Sequence, residues 1–116
     1  MSAGLTTHVL DTSREGPAAG VDVTLQRVDA SGERETINQG TTNDDGRLDE
    51  PLLTPEQMET GTYQLLFEVG SYYRQSPSES TFLETVPVRF IINDTSEHYH
   101  VPLLLSPGGY TTYRGS

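Results

Sequence analysis

The chain has 116 residues, no cysteine and a formal net charge of −10, and all 7 of its basic residues are arginine. This length allows one hydrophobic core, so residues 1–116 are predicted to form a single domain. Without cysteine there is no disulfide framework and no thiolate metal site. Nucleic acid and anionic membranes are poor partners for such an acidic chain, because phosphate binding requires clustered cations.

The acidic composition has two interpretations. It fits an ordinary acidic protein, and it also fits a protein from a high-salt cytoplasm, where excess carboxylates keep the surface hydrated while salt screens their repulsion. No apolar run reaches the length of a membrane span. The first sequence motif begins at Leu5 and leaves no room for a signal peptide, so we expect a cytoplasmic protein with no membrane partner.

Short strands separated by turns are predicted through the first half of the chain. Apolar and polar residues alternate over residues 5–10 and again over 21–26, which is typical of half-buried strands. Residues 11–20 are expected to form a loop between them. Residues 33–42 are mostly polar and predict an exposed or edge strand. The residue types at 43–46 indicate a turn. They lack the ligand spacing and the closing glutamate of an EF-hand calcium loop, so a calcium site is not predicted there.

Two short helical segments are predicted in the second half. The first is expected to begin at Thr54, which can form a capping box with Gln57, while Pro55 fits the first turn. Gly61 is expected to end this helix. Residues 71–75 are predicted to form one further helical turn.

The second half also predicts two core strands. Every second residue from Tyr63 to Val69 is apolar, so residues 62–69 are expected to bury one face. Residues 86–92 show the same alternation. Pro87 near the start of that segment indicates an edge strand or a strand end, because proline cannot donate a hydrogen bond to a sheet ladder.

The last stretch of the chain predicts a hairpin that presents histidines. His98 and His100 fall on one face of its first strand, because alternate strand residues point the same way. The sequence at 107–109 indicates the turn, and residues 110–114 predict the second strand, with Tyr113 beside Thr111 on one face. Six to eight short strands with regular turns and little helix predict an all-β sandwich.

Three motifs, in this order, resemble those of one protein family. They are LTTHVLD at residues 5–11, DGRL at 45–48, and HYHVPLLLSP followed by YRGS at the end of the sequence. The chain is thereby similar to the 5-hydroxyisourate hydrolases, which are transthyretin-like proteins, and the YRGS ending separates these from the hormone-carrying transthyretins. The resemblance implies a two-sheet, eight-stranded transthyretin-like sandwich that assembles as a homotetramer. This tetramer is a dimer of dimers with sites at the dimer–dimer interface.

The resemblance also implies roles for individual residues. The family's chemistry uses neither a metal nor another cofactor. His98 lies on the same strand face as His100 but farther out, so the alternation of faces leaves its role open. The residues implied as catalytic are His8, Arg47, His100 and Ser116, and those implied as substrate-binding are His8, Arg47, Tyr113 and Arg114.

The implied reaction explains why these residue types are needed. Water opens the ring of 5-hydroxyisourate, a planar heterocycle, to give 2-oxo-4-hydroxy-4-carboxy-5-ureidoimidazoline. Histidine can act as the base that activates water, because its pKa lies near neutral pH. A guanidinium can stabilise the oxyanion that develops and hold a flat substrate with paired N–H donors. The motif favours Arg47 for this contact and Arg114 for anchoring the tail, while Ser116 can orient a histidine.

Three alternatives stay open. His8, His98 and His100 can be drawn as a three-histidine zinc site, although strand residues two apart lie about 6.6 Å from each other along the chain. A non-catalytic transthyretin-like protein would bind small aromatic ligands in a central channel without converting them. A purely structural sandwich would show no polar groups converging in such a channel.

Overall fold

The protein is described by a computed structural model that covers residues 3–75 and 82–115. The strands are β1 (Gly4–Asp11), β2 (Gly16–Pro17), β3 (Asp22–Val28), β4 (Arg34–Thr41), β5 (Gly61–Glu68), β6 (Thr85–Ile92), β7 (His98–Ser106) and β8 (Gly109–Thr112). They form two four-stranded sheets, with the order β2-β1-β7-β8 in sheet A and β4-β3-β5-β6 in sheet B. A 3-10 helix (Pro55–Gln57) and one α-helix, α1 (Val69–Arg74), complete the described elements. The predicted two-sheet, eight-stranded sandwich is confirmed.

Sheet A places two of the motif strands side by side. β1 and β7 run parallel, with His8 opposite Pro102. Along β1 every second side chain is buried against the core, and the intervening ones are half-buried. The two histidines of β7, His98 and His100, are half-buried, whereas the alternate residues Tyr99 and Val101 are buried. The prediction that they share the face turned away from the core is confirmed.

Apolar side chains from both sheets fill the space between them. Burying one of these side chains contributes about 1.5–3 kcal/mol relative to leaving it exposed. The alternation predicted for residues 62–69 and 86–92 places their apolar residues in this core, as expected. The predicted edge strands are also confirmed, since β4 and β6 are the outer strands of sheet B. The largest fully buried side chains include Leu5, Val9, Leu25, Tyr63, Leu65, Phe67, Tyr73, Leu103 and Leu105.

The first predicted helix is present but ends earlier than expected. Gln57 accepts a hydrogen bond from the backbone N–H of Thr54 at 2.9 Å, which confirms the predicted capping contact. The helix ends after Gln57, because the backbone of Met58 is already extended. Gly61 therefore begins β5, and the prediction that it ends the helix is wrong.

Other boundaries differ by a few residues. The segment predicted as a loop at 11–20 contains β2, which is too short to show an alternating pattern. β8 ends at Thr112, although a strand was expected to reach residue 114. α1 (Val69–Arg74) begins two residues earlier and ends one residue earlier than the helical turn predicted at 71–75. No helix in the described ranges is long and apolar enough to cross a membrane.

Candidate active site

A tight turn at residues 43–47, the Arg47 turn, brings an arginine to β1. The side-chain Oδ1 of Asn43 accepts a hydrogen bond from the backbone N–H of Arg47 at 3.2 Å, which closes the turn. Gly46 has a φ of +75°, and a Cβ there would lie 2.4 Å from the carbonyl oxygen of Val9, so glycine is required. The backbone N–H of Val9 donates to the carbonyl of Gly46 at 2.8 Å, which fixes the turn against β1.

His8 is half-buried on β1 beside the Arg47 turn. Its Nε2 lies 2.9 Å from the carbonyl oxygen of Asp45. A carbonyl oxygen only accepts hydrogen bonds, so Nε2 carries the hydrogen and Nδ1 keeps its lone pair. Burial lowers the pKa of His8 below 6.5, and the positive charge of Arg47 lowers it further against a smaller opposing effect of Asp45. His8 is therefore neutral at pH 7 and has one nitrogen free to accept a proton.

His100 lies on β7, diagonally across the parallel pair from His8. The two imidazole centroids are 6.5 Å apart and their planes are inclined by 39°. The Nδ1 of His100 lies 2.9 Å from the hydroxyl oxygen of Thr6. Burial is the main cause that lowers the pKa of His100, followed by the charge of Arg47 and then by the neighbouring histidines. Two neutral imidazoles thus lie side by side on the outer face of sheet A.

The side chain of Arg47 is exposed to solvent. Within residues 3–75 and 82–115 its guanidinium makes no hydrogen bond or ion pair. Its charge nevertheless lowers the pKa of both His8 and His100, and the backbone of Arg47 forms an isolated β-bridge with that of His8. A guanidinium presents five N–H donors in one plane and keeps its charge at any physiological pH. Arg47 is therefore available to bind a carbonyl-rich or anionic ligand.

The residues after β8 are held against β7. The backbone N–H of Gly115 donates to the carbonyl of His100 at 2.7 Å. A Cβ at Gly115 would lie 2.8 Å from the Cδ2 of His100, so the glycine backbone packs directly on the imidazole. The predicted catalytic Ser116 lies outside the described residues, and its role stays a prediction.

Arg114 contacts β7 and the residue that precedes this strand, Glu97. Its Nη2 donates to the carbonyl of His98 at 3.1 Å and pairs with the carboxylate of Glu97 at 3.3 Å. Its guanidinium carbon lies 4.1 Å from the centroid of the Tyr99 ring, a cation–π contact. These contacts support the predicted role of Arg114 in anchoring the tail, and its substrate-binding role stays a prediction.

An open groove runs beside His100 and the tail. Its volume is about 820 Å³. Tyr113 borders it with an exposed ring, 55% accessible, that is free to pack on a flat ligand. The residues that line this groove are Ser96, Glu97, His98, His100, Tyr113, Arg114 and Gly115.

The structure thus brings together His8, Arg47 and His100, as the motifs predicted. Sequence reasoning missed Thr6, whose hydroxyl contacts His98 at 3.0 Å and His100 at 2.9 Å. One signal was available, since Thr6 lies two residues before His8 and so shares its strand face. In the part of the chain that the structure describes, no group of three or more His, Asp or Glu side chains is placed to hold a metal ion.

The sequence can be compared with known families and proteins. A model of the HIUase/Transthyretin family matches residues 5–115. A 5-hydroxyisourate hydrolase from Halalkalibacterium halodurans is 54% identical over 119 aligned residues, and the match covers 100% of both proteins.

Two solved structures share the architecture. Klebsiella pneumoniae 5-hydroxyisourate hydrolase has a TM-score of 0.81 and 37% identity, over 98% of this chain and 94% of that one. Sea bream transthyretin in complex with thyroxine has a TM-score of 0.89 and 30% identity, over 97% and 95% of the two chains. The shared fold, the placement of the motif residues and the full-length match together show that this chain belongs to the HIUase/transthyretin family.

Proposed function

We propose that this protein hydrolyses 5-hydroxyisourate in urate catabolism. The observation that supports this most directly is the convergence of two neutral imidazoles, His8 and His100, beside the unpaired guanidinium of Arg47. Full-length similarity to a protein named 5-hydroxyisourate hydrolase supports the same substrate. The product is 2-oxo-4-hydroxy-4-carboxy-5-ureidoimidazoline.

The reaction begins when water loses a proton to an imidazole as it attacks the ring. Two ring nitrogens are available for this proton, the Nδ1 of His8 and the Nε2 of His100, since neither has a hydrogen-bond partner among residues 3–75 and 82–115. Both imidazoles have a pKa below 6.5, so at neutral pH each is uncharged and has one nitrogen with a lone pair. A positioned base of this kind accelerates such a step by about 10²–10⁴-fold.

Attack on the ring carbonyl places negative charge on its oxygen. Arg47 stabilises this charge, because a preorganised cation in a partly water-excluded site interacts more strongly with an oxyanion than water does. Tyr113 packs its ring on the substrate, and Arg114 and Ser116 complete the site from the tail. This general acid–base scheme draws on side chains alone, and metal-free catalysis stays a prediction of the family resemblance.

We propose in addition that the active form is a homotetramer, a dimer of dimers with its sites at the dimer–dimer interface. The outer face of sheet A carries half-buried Leu10 and Leu104 beside the two histidines, and Tyr113 is exposed next to them. Monomeric proteins rarely leave such a patch uncovered. A facing copy would cover it and close the open groove. A single catalytic domain over residues 1–116 and a cytoplasmic location stay predictions.

Three single substitutions test the proposed site. His8→Ala and His100→Ala should each lower kcat/KM for freshly prepared 5-hydroxyisourate by about 10²–10⁴-fold, because each removes a positioned acid–base group. Arg47→Ala should also lower it, because the oxyanion loses its cation. Arg34→Ala is the matched control, since Arg34 is exposed on the outer strand β4. Three folded variants with the kcat/KM of the wild type would refute the assignment.

A non-catalytic binding protein is the second candidate. The likeness to transthyretin in complex with thyroxine favours it at the level of the fold. An ultraviolet assay of the loss of freshly prepared 5-hydroxyisourate separates the two functions, because a binding protein would leave this decay at its spontaneous rate. Tight binding of a planar aromatic ligand without such acceleration would establish the second candidate instead.

A further inference from the structure

The hydroxyl of Thr6 lies between two imidazoles. Its Oγ1 is 3.0 Å from the Nε2 of His98 and 2.9 Å from the Nδ1 of His100. The register of sheet A explains this, because Thr6 on β1 lies directly opposite His100 on β7 and His98 is on the same face of β7. A hydroxyl has one hydrogen to donate and lone pairs to accept with. Thr6 therefore cannot donate to both imidazoles at once.

Two arrangements of hydrogens use the Thr6 hydroxyl both as donor and as acceptor, whereas in a third both imidazoles would donate to its oxygen. In the first, the Nδ1–H of His100 donates to Thr6, and the Thr6 hydroxyl donates to the Nε2 of His98. The outer nitrogen of His100, Nε2, then holds a lone pair and can act as a base. In the second, every hydrogen bond is reversed, and Nε2 of His100 carries a hydrogen and can act as an acid. The direction of the Thr6 hydroxyl thus determines which role His100 can perform.

We propose that Thr6 is a positioning residue that joins His98 and His100 into one proton-transfer chain. This inference rests on the proposed hydrolysis. When water attacks the substrate, its O–H bond breaks and an N–H bond forms at the Nε2 of His100. The Nδ1 proton of His100 then passes to the Oγ1 of Thr6 while the hydroxyl proton of Thr6 passes to the Nε2 of His98. His98 becomes the imidazolium, and His100 is left neutral with a hydrogen on Nε2.

The second state prepares the next step of the same reaction. The Nε2–H of His100 can donate to the ring nitrogen that leaves when the amide-type bond breaks. As that N–H bond breaks, the Nε2–H of His98 passes its proton to the Oγ1 of Thr6 and the hydroxyl proton of Thr6 passes to the Nδ1 of His100, so both imidazoles end neutral. One imidazole can thereby serve first as base and then as acid without holding a positive charge between the two steps.

The surrounding charges favour moving the cation away from His100. Arg47 and His8 face His100 from the Arg47 turn and from β1, and both lower its pKa, after burial as the main cause. On the other side, Arg114 donates to the backbone carbonyl of His98 and is itself paired with Glu97. A proton transferred to His98 therefore leaves the ring whose pKa Arg47 and His8 lower, while both rings line the same open groove.

Substitutions at Thr6 test the chain directly. Thr6→Val keeps the side-chain shape and removes the hydroxyl, and Thr6→Ser keeps the hydroxyl. We expect Thr6→Val to lower kcat about 10- to 100-fold, less than the loss of a whole acid–base group, with KM within about twofold. Thr6→Ser should restore most of the kcat. Thr24→Val, a half-buried threonine on β3, is the matched control for the removal of a strand hydroxyl.

A double substitution distinguishes proton transfer through Thr6 from a purely structural role of its hydroxyl. If His98 acts only through Thr6, His98→Asn should lower kcat in the wild type and have little further effect in Thr6→Val. The pH profile of kcat should also change in Thr6→Val, because His100 must then hold the proton itself. Full kcat and an unchanged pH profile in Thr6→Val would overturn the proposal.

Nuclear magnetic resonance separates this proposal from the proposed function. The nitrogen shifts of labelled imidazoles report which ring nitrogen carries the hydrogen and need no substrate. In the wild type we expect only one of the two nitrogens that face Thr6, the Nδ1 of His100 and the Nε2 of His98, to carry a hydrogen, and we expect this pairing to be lost in Thr6→Val. Hydrogens on both facing nitrogens in the wild type would refute the chain even if the hydrolysis is confirmed. The paired tautomers in a protein without hydrolase activity would refute the proposed function and leave the contact through Thr6 in place.

Discussion

Gly115 is the residue at which the tail meets the His100 imidazole. A Cβ at this position would lie 2.8 Å from the Cδ2 of His100, closer than carbon atoms approach each other. The backbone of Gly115 is also tied to the carbonyl of His100 at 2.7 Å, so it cannot move aside freely. The lack of a side chain is what allows the tail to lie flat against the ring.

Replacing Gly115 with alanine should displace the His100 ring. A misplacement of about 1 Å in a reacting group costs on the order of 10²-fold in rate, so we expect kcat for 5-hydroxyisourate to fall about 10- to 100-fold. The fold should remain, as checked by the melting temperature. Gly108→Ala is the matched control, because no atom lies within 4 Å of a Cβ at that position. Equal kcat values in the two variants would show that this contact does not position His100.

The sequence predicted individual site residues where these residues lie within a recognisable motif. His8, Arg47 and His100 all lie within motifs, and the structure brings them together. Thr6 was not identified, because its contacts join residues 92 and 94 positions apart and depend on the register between two strands. The contact of Arg114 with Tyr99 was missed for the same reason, since no local pattern encodes a ring and a guanidinium meeting across the tail.

The element α1 is held to the end of β1 by a buried carboxylate. Asp11 is fully buried, and its carboxylate accepts hydrogen bonds from the Tyr72 hydroxyl at 2.6 Å and from the Ser13 hydroxyl at 2.6 Å. Burial alone would raise the pKa of Asp11, but hydrogen bonds from Ser13, Tyr72 and Arg14 outweigh it and hold the pKa below 3.8. The native state therefore prefers the charged carboxylate.

Removing the Tyr72 hydroxyl should weaken this connection. A hydrogen bond to a charged group contributes about 1.5–3 kcal/mol, so we expect Tyr72→Phe to lower the free energy of unfolding by that amount at pH 7. The lowered pKa of Asp11 gives stability that is present above pH 3.8 and is lost as the pH falls through the native value. The difference between variant and wild type should therefore shrink on acidification.

Urea unfolding at pH 7 and at a pH below 3.8 measures both effects for Tyr72→Phe. Tyr110→Phe is the matched control, because Tyr110 is 43% exposed on β8. A difference that is absent at pH 7, or one that grows as the pH falls, would contradict the assignment of Asp11 as the charged partner.

Alternation of polar and apolar residues was sufficient to predict most strands and the faces that they bury. It failed where an element is too short or is ended by tertiary contacts. β2 has two residues and cannot show a period, and β8 ends at Thr112 because the following residues turn to contact β7. Gly61 was assigned to the helix end because glycine often ends helices, yet this glycine begins a strand with a φ of +144°, a conformation that favours glycine.

The whole molecule presents its chemistry on an outer face of the sandwich. Sheet A buries one side of β1 and β7 in the core, and the opposite side carries His8, His100 and the half-buried Leu10 and Leu104. The groove beside His100 is open in one copy of the chain. These two facts support an active site completed by a second copy, since symmetric association would bury the apolar residues and enclose the groove.

A charged residue on this face tests the assembly. Leu104→Arg should prevent close approach of a second copy, because an unpaired guanidinium would have to be buried in the interface. We expect the mass measured by light scattering to fall from that of a tetramer to that of a smaller species, with a parallel loss of kcat/KM for 5-hydroxyisourate. Ile37→Arg is the matched control, since Ile37 is 40% exposed on β4 of the other sheet.

The two substitutions change the net charge equally, which removes one competing explanation. Each takes the chain from −10 to −9, a change that eases repulsion between copies and would favour association if charge alone mattered. Loss of the tetramer in Leu104→Arg but not in Ile37→Arg must therefore come from the position of the side chain on sheet A. A folded monomer or dimer of Leu104→Arg with full kcat/KM would show that one copy, or one pair, already contains a complete site.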